Sequence, residues 1–224
     1  MPIRIGADSP TLPPELVEKL HRVSFPTLGH YLEEGFAEPG LQRFAGTARV
    51  VGRAVTVRTT ATDSTMLHHA AGLIRPGDVA VIDTGGDTRH APLGQVVATA
   101  LSLRGAAGAI VDGAATDIDE IRALGLPVYA RGLSVLTTKL HDIDSGALNV
   151  PVTCGGVTVN PGDVVLADSN GVLFASVATL QALIDTALED DAEEPDLIRE
   201  LEAGGRLGEL TGATAAIERF LSAR

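Results

Sequence analysis

Residues 83–117 read DTGGDTRHAPLGQVVATALSLRGAAGAIVDGAATD, and their pattern decides the fold. The apolar run at 79–82 stops at Asp83, a glycine-rich turn follows, residues 94–104 have helical spacing, and a second apolar run occupies 106–111. Strand, helix and strand follow one another in about the length a βαβ crossover needs, with polar and glycine residues gathered at both strand ends. Ligands of such units sit beyond the carboxyl ends of the strands, so Asp83, Asp87, Gly94 to Val97, Asp112 and Asp117 are expected on one rim.

Outward from this unit, two segments echo each other. Pro76-Gly77-Asp78-Val79 opens the strand that ends at Asp83, and Pro161-Gly162-Asp163-Val164 opens one that ends at Asp168. Each is a turn feeding an apolar strand, a local device and not a domain duplication. Residues 47–60 alternate small or apolar with polar side chains, which predicts a half-buried strand or hairpin with a bulge at Gly52. Asp63 offers an N-cap to a helix through Met66, Leu67, Ala70 and Ala71. Nearer the amino end, residues 13–22 predict a short helix with Leu16 and Leu20 on one face, and a second helix is expected after Pro26, through Glu33. Further strands are expected at 126–130 and 150–159, the latter folded into a hairpin at Gly155-Gly156. The tail at 177–224 is helical in pattern with breaks near 193–195 and 204–205, and its acidic run at 189–194 reads as a solvated face.

With 224 residues and 45% hydrophobic content, the chain can bury a real core as one domain with a helical carboxyl-terminal extension (core about 25–175, extension 176–224). The start, MPIRIGADSPTLPPEL, lacks the pattern of a signal peptide, and no apolar run approaches the ~20 residues of a membrane-spanning helix, so a cytoplasmic protein is expected. A single cysteine, Cys154, excludes an internal disulfide framework and a Cys-rich metal site; it reads as a buried small hydrophobe. A net charge of −12 with only two lysines argues against a phosphate-backbone surface, and 3% aromatic content with no Trp supplies few stacking platforms, so nucleic acid is not an expected partner.

Gly94-Gln95-Val96-Val97 opens a helix after Pro92, and the unpartnered amides of such a start bind carboxylate or phosphate, although every helix start offers them. No Walker lysine follows and Gly85-Gly86 is no dinucleotide fingerprint, which disfavours nucleotides. Asp117 precedes the helix at 118–124 with Glu120 three residues on, a capping box that accounts for the residue structurally; the functional alternative is a ligand to Mg²⁺, which takes one or two carboxylates and keeps several waters. His68 and His69 are adjacent and point about 100° apart on a helix, and no HExxH is present, so zinc catalysis is not expected. His90 and His30 are candidate acids or bases. Of the two lysines, Lys19 falls on a surface helix and Lys139 sits in polar surroundings, which gives imine chemistry little support. No Gly-x-Ser-x-Gly elbow occurs.

The same residues resemble the regulator of ribonuclease activity A (RraA-like) family, which includes the class II 4-hydroxy-4-methyl-2-oxoglutarate / 4-carboxy-4-hydroxy-2-oxoadipate aldolases. The resemblance runs from about residue 25 to 174 and is densest in PGDVAVIDTGGD, in LGQVVATALSLRGAAGAIVDGAATDIDEIRALGLPVYARG and in VPVTCGGVTVNPGDVVLADSNGV. It implies an α/β sandwich of the swivelling β/β/α type, assembled as homotrimers or hexamers with active sites between subunits. In the aldolase branch a glycine-acid-Leu-Leu-like loop offers amides to a pyruvate carboxylate, matching Gly94, Gln95, Val96 and Val97. An Arg-Asp pair follows, the Asp holding a divalent cation and the Arg steadying the enolate; the matching positions are Thr116 and Asp117.

Two positions depart from that pattern: Gln95 stands where the loop has an acid, and Thr116 where the pair has arginine. Loss of a fixed cation removes transition-state stabilisation of several kcal/mol. Arg89, Arg131, Lys139, His30 or His90 stand as replacements. In the aldolases an acid from a neighbouring subunit's carboxyl-terminal region serves the metal's water, for which Glu193, Glu194 and Glu200 are available here. The expected function is a lyase on a small 2-oxo acid, with Mg²⁺ or Mn²⁺ on Asp117 as Lewis acid, by retro-aldol cleavage to pyruvate or oxaloacetate-type decarboxylation; Thr116, Asp117, Lys139 and His90 are the candidate catalytic set. The alternatives are a non-catalytic regulator that binds a protein partner, and a divergent 2-oxo-acid reaction such as hydration or isomerisation.

Overall fold

Val, Ile and Ala fill consecutive apolar runs of this chain, and those runs become the centre of a nine-stranded sheet. The computed structural model describes residues 2–141 and 144–223. In order they form β1 (Arg4–Ile5), α1 (Pro14–Arg22), α2 (Phe25–Leu28), β2 (Gln42–Ala45), β3 (Val50–Arg58), α3 (Thr65–Ala71), β4 (Asp78–Asp83), α4 (Gln95–Leu103), β5 (Gly108–Ala115), α5 (Ile118–Leu124) and β6 (Val128–Leu133). There follow β7 (Ala147–Leu148), β8 (Val152–Cys154), β9 (Val157–Val159), β10 (Val164–Ala167), β11 (Val172–Ala175), α6 (Val177–Glu202), α7 (Leu207–Leu210) and α8 (Ala213–Ser222).

Strands β3, β4, β5 and β6 are parallel neighbours, as the crossover pattern predicts. β2 closes one side antiparallel to β6, and the other edge of β3 is shared by β10 along its first half and β7 at its end. The two Pro-Gly-Asp turns therefore deliver strands to opposite sides of β3: Arg53 is level with both Asp78 and Val164. Gly77 and Gly162 make these turns at φ +83° and +88°, where a side chain would be strained.

Three apolar clusters stack the layers. On one face of the sheet α3, α4 and α5 bury Leu67, Leu101 and Ile121 against Val57, Ile82 and Val111. On the other, the β8–β9 hairpin lays Val152, Cys154 and Val159 over Val81, Ile110 and Tyr129. Outside β10 and β11, helices α1, α2 and α6 cover Leu166 and Leu173 with Leu20, Leu28 and Leu180. The result is a mixed α/β, β/β/α arrangement with an added helical layer.

Several expectations are corrected. β3 is buried on both faces, from Val50 through Val57, because hairpin and helices cover it from either side. Gly52 makes no bulge; its register with β10 is unbroken, and a Cβ there would lie 2.3 Å from the Gly77 carbonyl oxygen. The helix after Pro26 stops at Leu28: the amides of Gly29, His30 and Tyr31 reach back only three residues, to the Pro26, Thr27 and Leu28 carbonyls, and Gly35 (φ +90°) then turns the chain into a bridge between Phe36 and Leu173. α6 runs through Pro195 to Glu202 and breaks only before Gly204. Gly155 and Gly156 turn the hairpin at φ +60° and +78°, as expected.

Tyr129 carries a pH signature. Its ring is 1% exposed, its hydroxyl donates to the Asp168 carbonyl at 2.9 Å, and burial pushes its pKa up to about 12 against an opposing influence of Arg43. Between about pH 10 and pH 12 the unfolded chain releases this proton while the folded chain keeps it, so stability falls with rising pH by about 2–3 kcal/mol across that window. Urea denaturation through that range should show this slope in the wild type and a flatter one in Tyr129→Phe.

Candidate functional site

The site grows from where the segment after β4 runs. The Thr84 hydroxyl lies 2.7 Å from both the Asp87 and Asp112 carbonyls, which share its one proton, and Asp87 Oδ1 accepts the amides of Arg89 (2.9 Å) and His90 (2.7 Å). Burial works to raise the Asp87 carboxyl, but the bonds from His90 and Arg89 outweigh it and leave it below the usual carboxylate range. The His90 ring lies 3.1 Å from Asp87 Oδ2, so its nearest charged neighbour is Asp87 and not Asp117. The chain then runs past the end of β5 and the segment that follows β6: Ala91 bridges Thr137, Leu93 bridges Ala115, and the Thr116 amide donates to the Leu93 carbonyl at 2.9 Å. This pairing sets the first turn of α4 against Asp117.

Asp117 sits in the left-handed region (φ 52°, ψ 42°), a conformation uncommon outside glycine and best tolerated by Asp and Asn. It occupies the N-cap position of α5 yet makes no side-chain cap there. The capping box with Glu120 is thus corrected: Asp117 Oδ2 instead accepts the Gln95 amide at 2.9 Å, satisfying an orphan donor of α4 and placing the carboxylate at that helix's positive end. The other oxygen, Oδ1, has only a 3.4 Å contact from the Thr116 hydroxyl. Gly94 makes the approach possible, since a Cβ there would lie 2.6 Å from Asp117 Oδ2 and 2.9 Å from Thr116 Cγ2. Val96 is 76% exposed, and Val97 is buried.

Beside Asp117 lies an open depression of about 240 Å³ lined by Thr116, Asp117, Ile118, Leu133, Ser134 and Val135. Asp117 is its one ionisable lining group. The three residues from β6 and its continuation carry no motif; they arrive because Ala115 pairs with Leu133 and the Ser134 amide donates to the Ala115 carbonyl at 2.9 Å. Nothing in the sequence marks them.

The expected single rim splits. Asp83 and Asp112 are level with one another across β4 and β5, but Asp83 Oδ2 is held by Arg58 (2.7 Å) and the Thr153 amide (3.2 Å), and Asp112 by Arg131 (2.6 Å) and the Gly155 amide (3.0 Å). These carboxylates anchor the β8–β9 hairpin on the opposite face of the sheet. Arg131, tied also to Glu38 at 2.7 Å, is therefore not free to replace the missing arginine. His30 lies elsewhere, in a cleft of about 1020 Å³ between α2 and α6 that Glu193, Glu194 and Glu200 of the same chain also line. Cys154 is fully buried, and burial, with the nearby Asp112 and Asp83, pushes its thiol well up.

Lys139 is exposed and does not line the depression; its amide donates to the Thr62 carbonyl (2.9 Å) and its carbonyl accepts from Ser64 (3.0 Å). Beside it Asp63, 2% exposed, caps α3 from one residue before the cap position, accepting the Thr65 amide (2.9 Å), the Thr65 hydroxyl (3.0 Å) and the His141 amide (2.5 Å). Burial raises this carboxyl, but those bonds prevail and hold it below the usual range. Asp63→Asn should cost about 2 kcal/mol, since an amide cannot accept all three donors. The wild-type advantage is present above the unfolded-state carboxyl pKa and disappears as pH falls through the depressed folded value, which paired denaturation curves at neutral and strongly acid pH would reveal.

Comparison with known proteins bears on this geometry. The RraA-like family, described as Aldolase/RraA, matches residues 17–174. The chain belongs to this family. A relative in Halalkalibacterium halodurans, named as a candidate 4-hydroxy-4-methyl-2-oxoglutarate aldolase, is 36% identical over 146 residues, covering 65% of this chain and 69% of its own. Among solved structures, Streptomyces coelicolor RraAS2, described as an unusual member of the RNase ES inhibitor RraA family, superposes with a TM-score of 0.71 at 27% identity over 84% of this chain and 99% of that one. The RNA-processing inhibitor RraA from Thermus thermophilis gives 0.61 at 29% identity over 68% and 92%. The loop at Gly94 and the Thr116-Asp117 pair fall inside the family match, and all of α6, α7 and α8 falls beyond it. Among the described residues no helix is long and apolar enough to cross a membrane, and no three His, Cys, Asp or Glu side chains cluster as a metal cage.

Proposed function

We propose that this RraA-like chain is a divalent-metal-dependent lyase acting on a small 2-oxo acid, releasing pyruvate by retro-aldol cleavage of a 4-hydroxy-2-oxo acid or by decarboxylation of an oxaloacetate-like acid. The observation that carries the reading is the Asp117 carboxylate, held in a left-handed backbone at the lining of a depression, with Oδ2 fixed by the Gln95 amide and Oδ1 met only by the Thr116 hydroxyl at 3.4 Å. A lone carboxylate suits Mg²⁺ or Mn²⁺, which are content with one or two and keep waters, and does not suit zinc, which needs three or four protein ligands. When bound, such a cation supplies Lewis acidity to the carbonyl of the 2-oxo acid. The chain's own residues do the rest: the Val96 and Val97 amides in the first turn of α4 remain for the substrate carboxylate, the Thr116 and Ser134 hydroxyls offer neutral hydrogen bonds, and Leu133 and Val135 wall the depression with apolar surface.

No second ionisable group lines the depression, so the base for a C4 hydroxyl proton is sought on a neighbouring copy in a homotrimer or hexamer, with Glu193, Glu194 and Glu200 as candidates. The test is pyruvate release from oxaloacetate and from 4-hydroxy-4-methyl-2-oxoglutarate by metal-stripped protein, with and without added Mg²⁺ or Mn²⁺. Metal-dependent release supports the reading, and its absence from a folded oligomer removes it. Thr116→Arg should raise turnover at least about tenfold by restoring a fixed cation beside the developing charge.

A second reading is favoured by the same Thr116: a regulator that has shed the chemistry and binds a protein partner, in keeping with the description of the Thermus protein as an RNA-processing inhibitor and of the Streptomyces protein as a member of an RNase ES inhibitor family. It predicts no turnover in the wild type and none in Thr116→Arg.

A further inference from the structure

One arginine of the sheet lacks the partner that three others have. Arg53, Arg58 and Arg131 each pair with an aspartate of the neighbouring strand, Asp78 at 2.8 Å, Asp83 at 2.7 Å and Asp112 at 2.6 Å. Arg43, on β2 and level with Tyr129 of β6, is half-buried, donates to the Ser169 hydroxyl at 2.8 Å, and enters no ion pair among the described residues. A guanidinium keeps its charge when drawn partly out of water, so this one calls for an anion from outside the chain.

The cavity it lines has a volume of about 440 Å³ and is otherwise polar, with Glu38, Tyr129, Asp168, Ser169 and Asn170 on its walls. Its two carboxylates are held by other donors: Glu38 by Arg131 at 2.7 Å, and Asp168 by the Asn170 amide at 2.7 Å and the Asn170 side chain at 3.3 Å. The Tyr129 hydroxyl is spent on the Asp168 carbonyl. A second cavity of about 400 Å³ adjoins the first, sharing Ala37, Asp168, Asn170 and Gly171, and its other walls include Phe25, Phe36, Leu166, Val172 and Leu173. Phe36 is 41% exposed there, although its backbone is fixed by the bridge to Leu173. A lone cation therefore stands at one end of a trough whose other end is apolar.

This trough is separate from the Asp117 depression, with which it shares no lining residue. Tyr129 lies near the start of β6, and Asp168 follows β10, whose last residue is level with the first of β3. The trough thus opens at the amino-terminal ends of the parallel strands, whereas Asp117 lies beyond the carboxyl end of β5.

We propose that the trough is a second ligand site, for a monocarboxylate with an apolar tail: Arg43 receives the carboxylate, and the tail lies against Phe36 and Leu173. The planar fork of the guanidinium matches a carboxylate, and the aromatic and aliphatic walls take the tail out of water. A second negative charge on the ligand is disfavoured, because Glu38 and Asp168 line the cavity that holds the first. The site is independent of the lyase reading and needs no metal.

Titration calorimetry of the whole chain in metal-free buffer tests it with five compounds. 3-Phenylpropanoate carries both the charge and the tail, 3-phenylpropan-1-ol only the tail, propanoate only the charge; 3-phenylpropan-1-amine reverses the charge and phenylsuccinate doubles it. The acid should bind one per chain and at least about tenfold more tightly than each of the other four, the size of one charge-assisted pair in a partly buried site. Arg43→Gln should bring the acid down to the affinity of the alcohol. Phe36→Ala, which keeps the backbone bridge, should weaken acid and alcohol alike by at least about threefold. An acid no tighter than the alcohol, or an acid preference that survives in Arg43→Gln, overturns the assignment of the anion to Arg43. Tightest binding by the amine or by phenylsuccinate overturns the ligand class, and failure of the wild type to bind any of the five overturns the site, while leaving the lyase reading at Asp117 untouched.

Discussion

Asp117→Asn is expected to lower metal-dependent pyruvate release about a thousandfold while the protein stays folded. Asparagine has the same shape, tolerates the left-handed backbone at φ 52°, and can present its carbonyl oxygen to the Gln95 amide as Oδ2 does now. What it cannot offer is the negative charge. The stability cost is the interaction of one charge with the start of α4, about 0.3–1 kcal/mol, and a melting curve should barely move. The kinetic cost is the Lewis acidity that Asp117 would hold in place, several kcal/mol of transition-state stabilisation. A purely structural Asp117 predicts the reverse ranking, with a small stability loss and unchanged activity, so measuring kcat/KM and Tm on the same preparation separates the two. Full activity in the Asn variant would remove the metal from this residue.

That charge, and not the cap, is the feature the linear sequence left undecided. Asp117 followed by Glu120 is a well-formed helix start, and only its partner 22 residues back in the chain reveals that the carboxylate faces α4 instead of α5. The βαβ frame was legible because its signals are local: apolar runs, Pro-Gly turns, and a glycine hairpin at 155–156. Gly94 to Val97 as a helix start was legible for the same reason. The partition of the acidic rim was not, because Asp83 and Asp112 differ from Asp117 only in which face of the sheet they address and which arginines reach them. Nor could the walls of the depression be read, since Leu133, Ser134 and Val135 are ordinary residues carried there by strand pairing. Alternation in β3 suggested one wet face, yet the fold covers both, a reminder that small residues in a parallel sheet mimic amphipathicity. The departure at Thr116 was visible in the sequence, whereas the commitment of Arg131 to Asp112 and Glu38 needed coordinates.

Gly94→Ala should reduce kcat/KM about a hundredfold and weaken its Mg²⁺ dependence, although Gly94 is extended (φ −128°) and alanine accepts that backbone. The obstacle is space. The new methyl would sit 2.6 Å from Asp117 Oδ2 and 2.9 Å from Thr116 Cγ2, and neither neighbour can turn away cheaply: Asp117 is fixed by its left-handed backbone and the Gln95 amide, and the Thr116 amide is tied to Leu93. The carboxylate must move, and an overpacked contact of this kind costs about 1–3 kcal/mol of stability as well. If the clash with Asp117 is the cause, removing that side chain removes the penalty. Asp117→Gly suits the left-handed position, and adding Gly94→Ala to it should then cost well under 1 kcal/mol, a coupling that a double-mutant cycle measures directly. Additive effects of the two changes would mean that the glycine serves the start of α4 by itself, and that the close approach of helix and carboxylate is not what positions Asp117.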